Sequence, residues 1–417
     1  MMKQTDIAIA GAGPSAMLLA AEVAETGLSA IIIAPEPQET WPNQYACWRD
    51  ELPDRPGMDW DELITPSFPS AQIWLDDRSP LVLERQYGRL EGSKLQRALW
   101  QRFESAGGRA RSGRVNQVNY DARGAELRLV DGEDLRATVF VDATGHGARF
   151  IQRRQGKTSG YQVAYGVLAD LKGEPAPSDR MTLMDYRGIT PGDDISNPSF
   201  LYAFQRESGL WFLEETVLVG PNKTGFETLR KRLERRLGSM GVSVNRVFEE
   251  ERCLIPMNPP LPRMDQPGLG YGGAASMVHP ASGYMVAYAA GRAPRVASCL
   301  AHGLGRSGSD PRQVVREAWD VIWPRSDRQS HALYRLGSNI LAEFSVEETR
   351  EFFRAFFEQP KSRWRGYHSR SLDVRGVMAS MWGTFGQLRP EIRKAMFAAI
   401  ARNPREAWEA MRGGLPE

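Results

Sequence analysis

Cysteine is scarce in this chain: Cys47, Cys253 and Cys299 stand far apart in 417 residues. An odd, scattered set excludes a disulfide framework or a CxxC metal knuckle, and suits a reducing compartment. Only five histidines occur, with no two at metal-ligand spacing and no His-Glu-x-x-His stretch, so no metal is expected. No serine sits in a nucleophile-elbow context. Net charge is also small: 53 basic against 51 acidic residues leave +2, no global field for nucleic acid. The longest uncharged run, Gln266 to Gly291, is long enough to span a bilayer, but its glycines, Pro267, Pro280 and His279 break it. It reads as a glycine-rich loop entering a buried helix. No secretory signal is expected, because Asp6 precedes the first apolar stretch.

What is present is a folded chain with a sizeable core, since 41% of residues are hydrophobic and charges are mixed. The length predicts two or three structural units. Ile7–Ala10 is a short apolar strand, followed by Gly11-Ala12-Gly13-Pro14-Ser15-Ala16, a helical pattern through Ala24, a stop at Gly27 and a second strand at Ala30–Ile33. Strand, GxGxxA, helix and strand in that order form a dinucleotide fingerprint. Gly11 makes the tight turn, Gly13 lets the backbone approach a pyrophosphate at the helix N-terminus, and Ala16 permits close helix–strand packing. The acidic residue expected to bind ribose falls at Ala34 instead; Glu36, two residues later, is the substitute candidate.

Two later segments point to FAD. Thr138–Asp142 is a strand ending in Ala143-Thr144-Gly145, a turn common in FAD-binding domains. Gly270 to Gly283 resembles the flavoprotein strand–loop–helix that runs along the flavin, with Gly272, Gly273, Ala274, Met277, His279, Pro280 and Gly283 as candidate cofactor contacts. Flavin hydroxylases usually carry aspartate where this chain has Gly273, so a group typical of the redox branch is missing.

Between these pieces, Tyr161–Leu168, Phe200–Gln205 and Leu210–Val219 read as strands, and Phe226, Leu229, Leu233 and Leu237 place one amphipathic helix. The helix's Arg230, Lys231, Arg232, Arg235 and Arg236, interleaved with Glu227 and Glu234, read as a solvated face. From Pro311 the chain becomes a helical tail, with 18 basic and 13 acidic residues between Arg312 and Glu417. There Phe352, Phe353, Phe356, Phe357 and Trp364 accompany Lys361, Arg363, Arg365, Arg370 and Arg375. They form either core aromatics beside a solvated turn or a surface for anionic lipid.

Within Leu210–Val219, Glu214 and Glu215 are adjacent carboxylates in an apolar strand. Neighbouring strand side chains point to opposite faces, so the two glutamates must differ. Trp211, Leu213, Val217 and Val219 share one parity, Phe212 and Leu218 the other, so at least one carboxyl meets an apolar wall, where its pKa rises and it can remain a proton donor. The local pattern leaves open which one. His146 and His279 are each either a base or a hydrogen-bonded structural histidine.

Six motifs recur together in order: Trp41–Trp48, Tyr161–Gly166, Met184–Arg187, Phe212-Leu213-Glu214-Glu215-Thr216, Ile255-Pro256-Met257 and Gly272–Gly283. As a set they resemble the flavoprotein lycopene cyclases of cyanobacterial and plant type, over Asp6 to about Trp323. The resemblance implies an α/β protein with a Rossmann-like FAD-binding domain of flavin-hydroxylase architecture, built from 1–50, 88–150 and 251–310. An antiparallel substrate sheet would comprise 51–87 and 151–250, and a helical region 311–417. It also implies a redox-neutral isomerase that closes the ends of lycopene to β rings, giving γ- and β-carotene, with Glu214 as general acid, Glu215 in support, reduced FAD stabilising a carbocation and NAD(P)H as reductant. A peripheral position on the cytoplasmic face of a membrane follows (thylakoid or plasma membrane in a cyanobacterial setting). Two other classes share the sequence features: a redox flavoprotein such as a monooxygenase or polyene reductase, and a non-catalytic carotenoid carrier.

Overall fold

The computed structural model describes residues 3–156, 160–188 and 197–402, with 404 and 408. Lys3–Ala10, Ala30–Ala34 and Arg109–Ser112 pair in parallel with one another, and Lys3–Ala10 also pairs in parallel with Asp134–Asp142. Side chains of Ile7–Ala10 and Ile32–Ala34 are buried on both sides of the sheet, which is why these stretches read as continuous apolar runs, whereas the edge strand Arg109–Ser112 is largely exposed. The antiparallel strands Gly124–Leu129 and Val115–Asp121 extend this sheet at one edge, and Leu269–Gly270 adds in parallel at the end of Asp134–Asp142. Helix Pro14–Glu25 follows the fingerprint and packs against Gly92–Ser105 and Val286–Leu304.

A second seven-stranded sheet has the order Ser243–Met257, Gly160–Lys172, Trp211–Gly220, Ser199–Gln205, Met181–Asp185, Ala71–Trp74, Leu81–Leu83. All its pairings are antiparallel except the one between Met181–Asp185 and Ala71–Trp74. One face packs Val163, Leu201, Leu213 and Val217 against Leu229, Leu233 and Leu237 of helix Phe226–Ser239. The other face carries Phe200, Phe204 and Phe212 into an aromatic-rich core shared with the C-terminal helices.

Three differences from the sequence-based expectations have physical reasons. Residues 251–257 belong to the antiparallel sheet, because the ladder of Ser243–Met257 on Gly160–Lys172 continues to Met257. Helix Pro311–Ile322 joins the dinucleotide unit, since its Val314, Ala318 and Trp319 are buried in that core. The basic face of Phe226–Ser239 is only partly solvated: Arg230 pairs with Glu227 and Glu234, but Arg232 and Arg236 are buried against the sheet.

The tail also resolves. Phe353, Phe356, Phe357 and Trp364 are core residues, and Lys361 and Arg365 contact Glu84, so this cluster is not an exposed apolar surface. Exposed aromatics lie further on: Trp382 on helix Val374–Gln387 and Phe397 on Pro390–Arg402 are 73% and 60% exposed. Residues 403, 405–407 and 409–417 of the tail lie outside the described residues. Among those described, no helix is long and apolar enough to cross a membrane, and no group of His, Cys, Asp or Glu could hold a metal.

Candidate active site

The glycine positions of the dinucleotide unit are set by close approach. Gly11 has φ +110°, and a β-carbon there would lie 2.4 Å from the Ala143 carbonyl oxygen, so only glycine lets the two strand ends meet. Gly13, by contrast, has open space: no atom lies within 4 Å of where its β-carbon would be. It caps helix Pro14–Glu25, whose first N–H groups lack intrahelical partners and make an anion-binding end. Ala16 is buried where that helix meets the sheet. Thr144 donates from N and Oγ1 to Asp142 Oδ1 (3.0 and 2.6 Å), fixing the turn before Gly145. Glu36 lies exposed in the turn after Ala30–Ala34.

The glycine-rich loop folds back onto these pieces. Gly272 (φ +63°) abuts Ser15, where a β-carbon would lie 2.5 Å from that side chain. Gly273 faces Gly145 and His146, with a β-carbon position 3.0 Å from both backbones; that crowding leaves no room for the aspartate of the hydroxylases. Ala274 and Met277 are fully buried, and Met277 Sδ accepts from Gly272 N. Pro280 is buried in the following turn, closed by the Gly283 N–H donating to the His279 carbonyl at 2.9 Å. Open space at Gly13, a helix N-terminus and a glycine-rich loop held against Ser15 and Gly145 fit a bound dinucleotide.

Between the two sheets lies a cavity of about 320 Å³. Its walls include Phe200, Phe204, Phe212 and Leu183 from the antiparallel sheet, Val278 and Ala281–Val286 from the glycine-rich loop, and Phe353 and Phe357 from the tail. Glu214 opens into it, beside Thr216, whose Oγ1 donates to Glu214 Oε1 at 2.5 Å. Burial pushes the Glu214 carboxyl up to about 6. Glu215 points to the other face and is fully buried. Its oxygens accept from Arg236 Nε (2.8 Å) and Nη2 (2.7 Å) and from Ser199 Oγ (2.7 Å).

His146 lines the cavity with Nδ1 buried and without a hydrogen-bond partner among the described residues, and burial lowers its pKa. His279 lies away from the cavity: Ala281 N donates to its Nδ1 (3.1 Å), and its Nε2 donates to the Tyr367 carbonyl (3.0 Å). Burial lowers its pKa well below the ordinary value, so it is a neutral structural group.

A further acid went unnoticed in the sequence. Glu251 lines the same cavity, 8% exposed, with Oε1 accepting from Gln44 N at 3.0 Å. Burial first, then the neighbouring Glu214 charge, pushes it to about 8. Its signal lay in parity: Glu251 stands two residues before Cys253 and four before Ile255, so all three share one strand face.

The architecture is that of the two-domain flavin-dependent oxidoreductases. It superposes on a geranylgeranyl bacteriochlorophyll reductase-like protein of Thermoplasma acidophilum with a TM-score of 0.71 at 16% identity, covering 96% of this chain and all of that one. A flavin-dependent brominase gives a TM-score of 0.54 at 15% identity, covering 98% and 99%. Within that architecture the family is specific. The model of the lycopene cyclase protein family matches residues 6–393, and the chain belongs to that family. It is 36% identical to the chloroplastic lycopene beta cyclase of an Oncidium hybrid cultivar, over 94% of this chain and 84% of the relative. It is 33% identical to the lycopene beta cyclase of Synechococcus elongatus, over 97% and 99%.

Proposed function

We propose that the protein is a lycopene cyclase, an isomerase that closes the linear ends of lycopene to β rings, giving γ- and β-carotene without net redox change. The observation that carries this reading is Glu214: a carboxyl with a raised pKa at the wall of an apolar, aromatic cavity, while its neighbour Glu215 is neutralised by Arg236. The substrate has no polar handle, so the cavity binds it by apolar area and shape. A cavity of about 320 Å³ is too small for a whole forty-carbon polyene and takes one end at a time. Proton delivery to the terminal double bond gives a tertiary cation, the neighbouring double bond closes the six-membered ring, and loss of a ring proton restores neutrality. The rings of Phe204 and Phe212, 5.2 Å apart, offer faces that stabilise the cation.

FAD is the dinucleotide this reading requires, held by Gly11, Gly13, Thr144, Gly145 and the Gly272–Gly283 loop. Once bound, and reduced by NAD(P)H, it would supply negative charge that stabilises the cation. Because the substrate resides in lipid, the protein works peripherally at the cytoplasmic face of a membrane, through the exposed aromatics Trp382 and Phe397 with Arg389, Arg393 and Lys394 around them.

Expression in a lycopene-producing host tests the reading. Cyclic carotenes should replace lycopene, and Glu214→Gln should lower the rate about 10²–10⁴-fold with flavin content unchanged. One nicotinamide oxidised or one oxygen consumed per product would support a redox enzyme instead. Unchanged pigment would favour a carrier.

A further inference from the structure

Glu214 and Glu251 sit in one row across the antiparallel sheet. Gly166 of the middle strand pairs with Glu214 on one side and with Glu251 on the other. In-register residues share a face, so both carboxyls project to the same side, two strand spacings or roughly 10 Å apart at the backbone. The residue between them is glycine, and the Phe212 ring lies over it, 3.0 Å from where a β-carbon would stand. Both carboxyls line the cavity. They are held differently. Glu214 accepts a hydroxyl hydrogen bond from Thr216. Glu251 has one oxygen on Gln44 N, while Oε2 is buried with no hydrogen-bond partner among the described residues. The cation nearest this row, Arg89, is engaged by Gln44, the Thr65 carbonyl and Glu91.

We propose that Glu251 is the second catalytic carboxyl of this site: it delivers the proton to the polyene end, and Glu214 takes the proton from the closed ring. This rests on the cyclase reading and refines it. Two buried carboxyls without a cation cannot both ionise readily, so the pair carries one proton. The unpartnered Oε2 of Glu251 is where that proton resides, and the hydroxyl donated by Thr216 favours the charged form of Glu214. The raised values, about 8 for Glu251 and about 6 for Glu214, agree with this order at neutral pH. The step balances: the Glu251 O–H bond breaks as a C–H bond forms at the polyene end, the ring closes, and a ring C–H bond breaks as Glu214 is protonated. While the cation exists, two carboxylates flank it. Loss of the proton from Glu214 to solvent and uptake of another by Glu251 reset the site.

The experiment uses purified flavin-loaded protein turning over lycopene in D2O. Glu251→Gln keeps the size and the Gln44 contact but lacks the acid. It should lower cyclisation at least 10²-fold and return lycopene without deuterium, while Glu251→Asp recovers part of the rate. Glu214→Gln should also lower cyclisation, but its recovered lycopene should carry deuterium at the alkene CH of the end group, the carbon whose protonation gives the tertiary cation, because the cation forms and reverts. Wild-type flavin content and a Tm no lower than wild type in both variants establish that the fold is intact. Near-wild-type rate in Glu251→Gln, or deuterium in its lycopene and none in that from Glu214→Gln, would overturn the proposal. Failure of the wild-type protein to cyclise lycopene would instead overturn the parent reading.

Discussion

Glu215→Gln should unfold the protein at a markedly lower temperature while sparing its chemistry. Glu215 is fully buried and Arg236 is 3% exposed, and two N–H···O contacts of 2.7–2.8 Å join them. Glutamine keeps the shape and the Ser199 contact but leaves the guanidinium without a counter-charge. Breaking a buried pair in this way typically costs 3–5 kcal/mol. Arg236 also donates to the carbonyls of Asp185, Arg187 and Ser199, which remain, so the lower end applies, about 3 kcal/mol. At roughly 2–4 °C per kcal/mol for a unit of this size, Tm should fall by about 6–12 °C. Scanning calorimetry of the flavin-loaded protein measures it, with Glu214→Gln as the matched control. That variant changes the same chemistry one residue away, where no cation is stranded and the repulsion with Glu251 is relieved, so its Tm should not fall below wild type. Equal Tm values for the two variants would refute the assignment of opposite faces to opposite roles.

Stability should also fall as pH rises from about 5 to 8. Glu251 is held above its ordinary value by burial and by Glu214, with Glu249 adding repulsion and Gln44 N–H and Arg89 opposing it. A raised acid stabilises the fold below its unfolded value and loses that contribution up to its folded value, about 8, at up to about 1.4 kcal/mol per pH unit. Glu251→Gln should flatten the Tm–pH curve over this range, and an unchanged slope would count against it. Gly11→Ala should destabilise the fold itself, because its β-carbon meets the Ala143 carbonyl, whereas Gly13→Val should leave apoprotein Tm unchanged and abolish FAD retention. Normal flavin content in Gly13→Val would remove the cradle. Trp382→Ser with Phe397→Ser should weaken co-sedimentation with anionic vesicles at least tenfold, since burying each ring is worth roughly 1.5–3 kcal/mol. Binding that ignores these residues would place the lipid contact elsewhere.

The dinucleotide unit was legible because its signals are local. Strand, glycine turn, helix and strand follow within thirty residues, and Gly11 answers a contact with Ala143 a few ångströms away. The acid strand was legible as a strand, but its parity was not, because apolar residues occupy both faces: Leu213 and Val217 meet helix Phe226–Ser239, while Phe212 meets the tail aromatics. Arg236 shows the same limit. It lies among five cations that look alike in sequence, and only the docking of its helix on the sheet turns it toward Glu215. Glu251 was hidden for a different reason. It ends an acidic run, Glu249-Glu250-Glu251, that reads as solvated, and the register with Gly166 that brings it to Glu214 joins segments 85 residues apart (251 minus 166).

Two kinds of buried carboxylate therefore stand on one sheet, and their difference is chemical. Glu215 is matched by a guanidinium and a serine hydroxyl on the face turned away from the cavity. Glu214 and Glu251 receive only a hydroxyl and a backbone N–H, and they repel each other when both are charged. Such a pair costs stability at neutral pH, and a cation or an apolar residue at either position would relieve the cost. Its retention in an aromatic cavity makes sense if the cavity handles protons and positive charge. The scaffold resembles redox flavoproteins, yet where hydroxylases carry an aspartate this chain has Gly273 pressed against His146. The two unmatched carboxyls of this chain stand instead on the antiparallel sheet, in a row whose middle residue is a glycine.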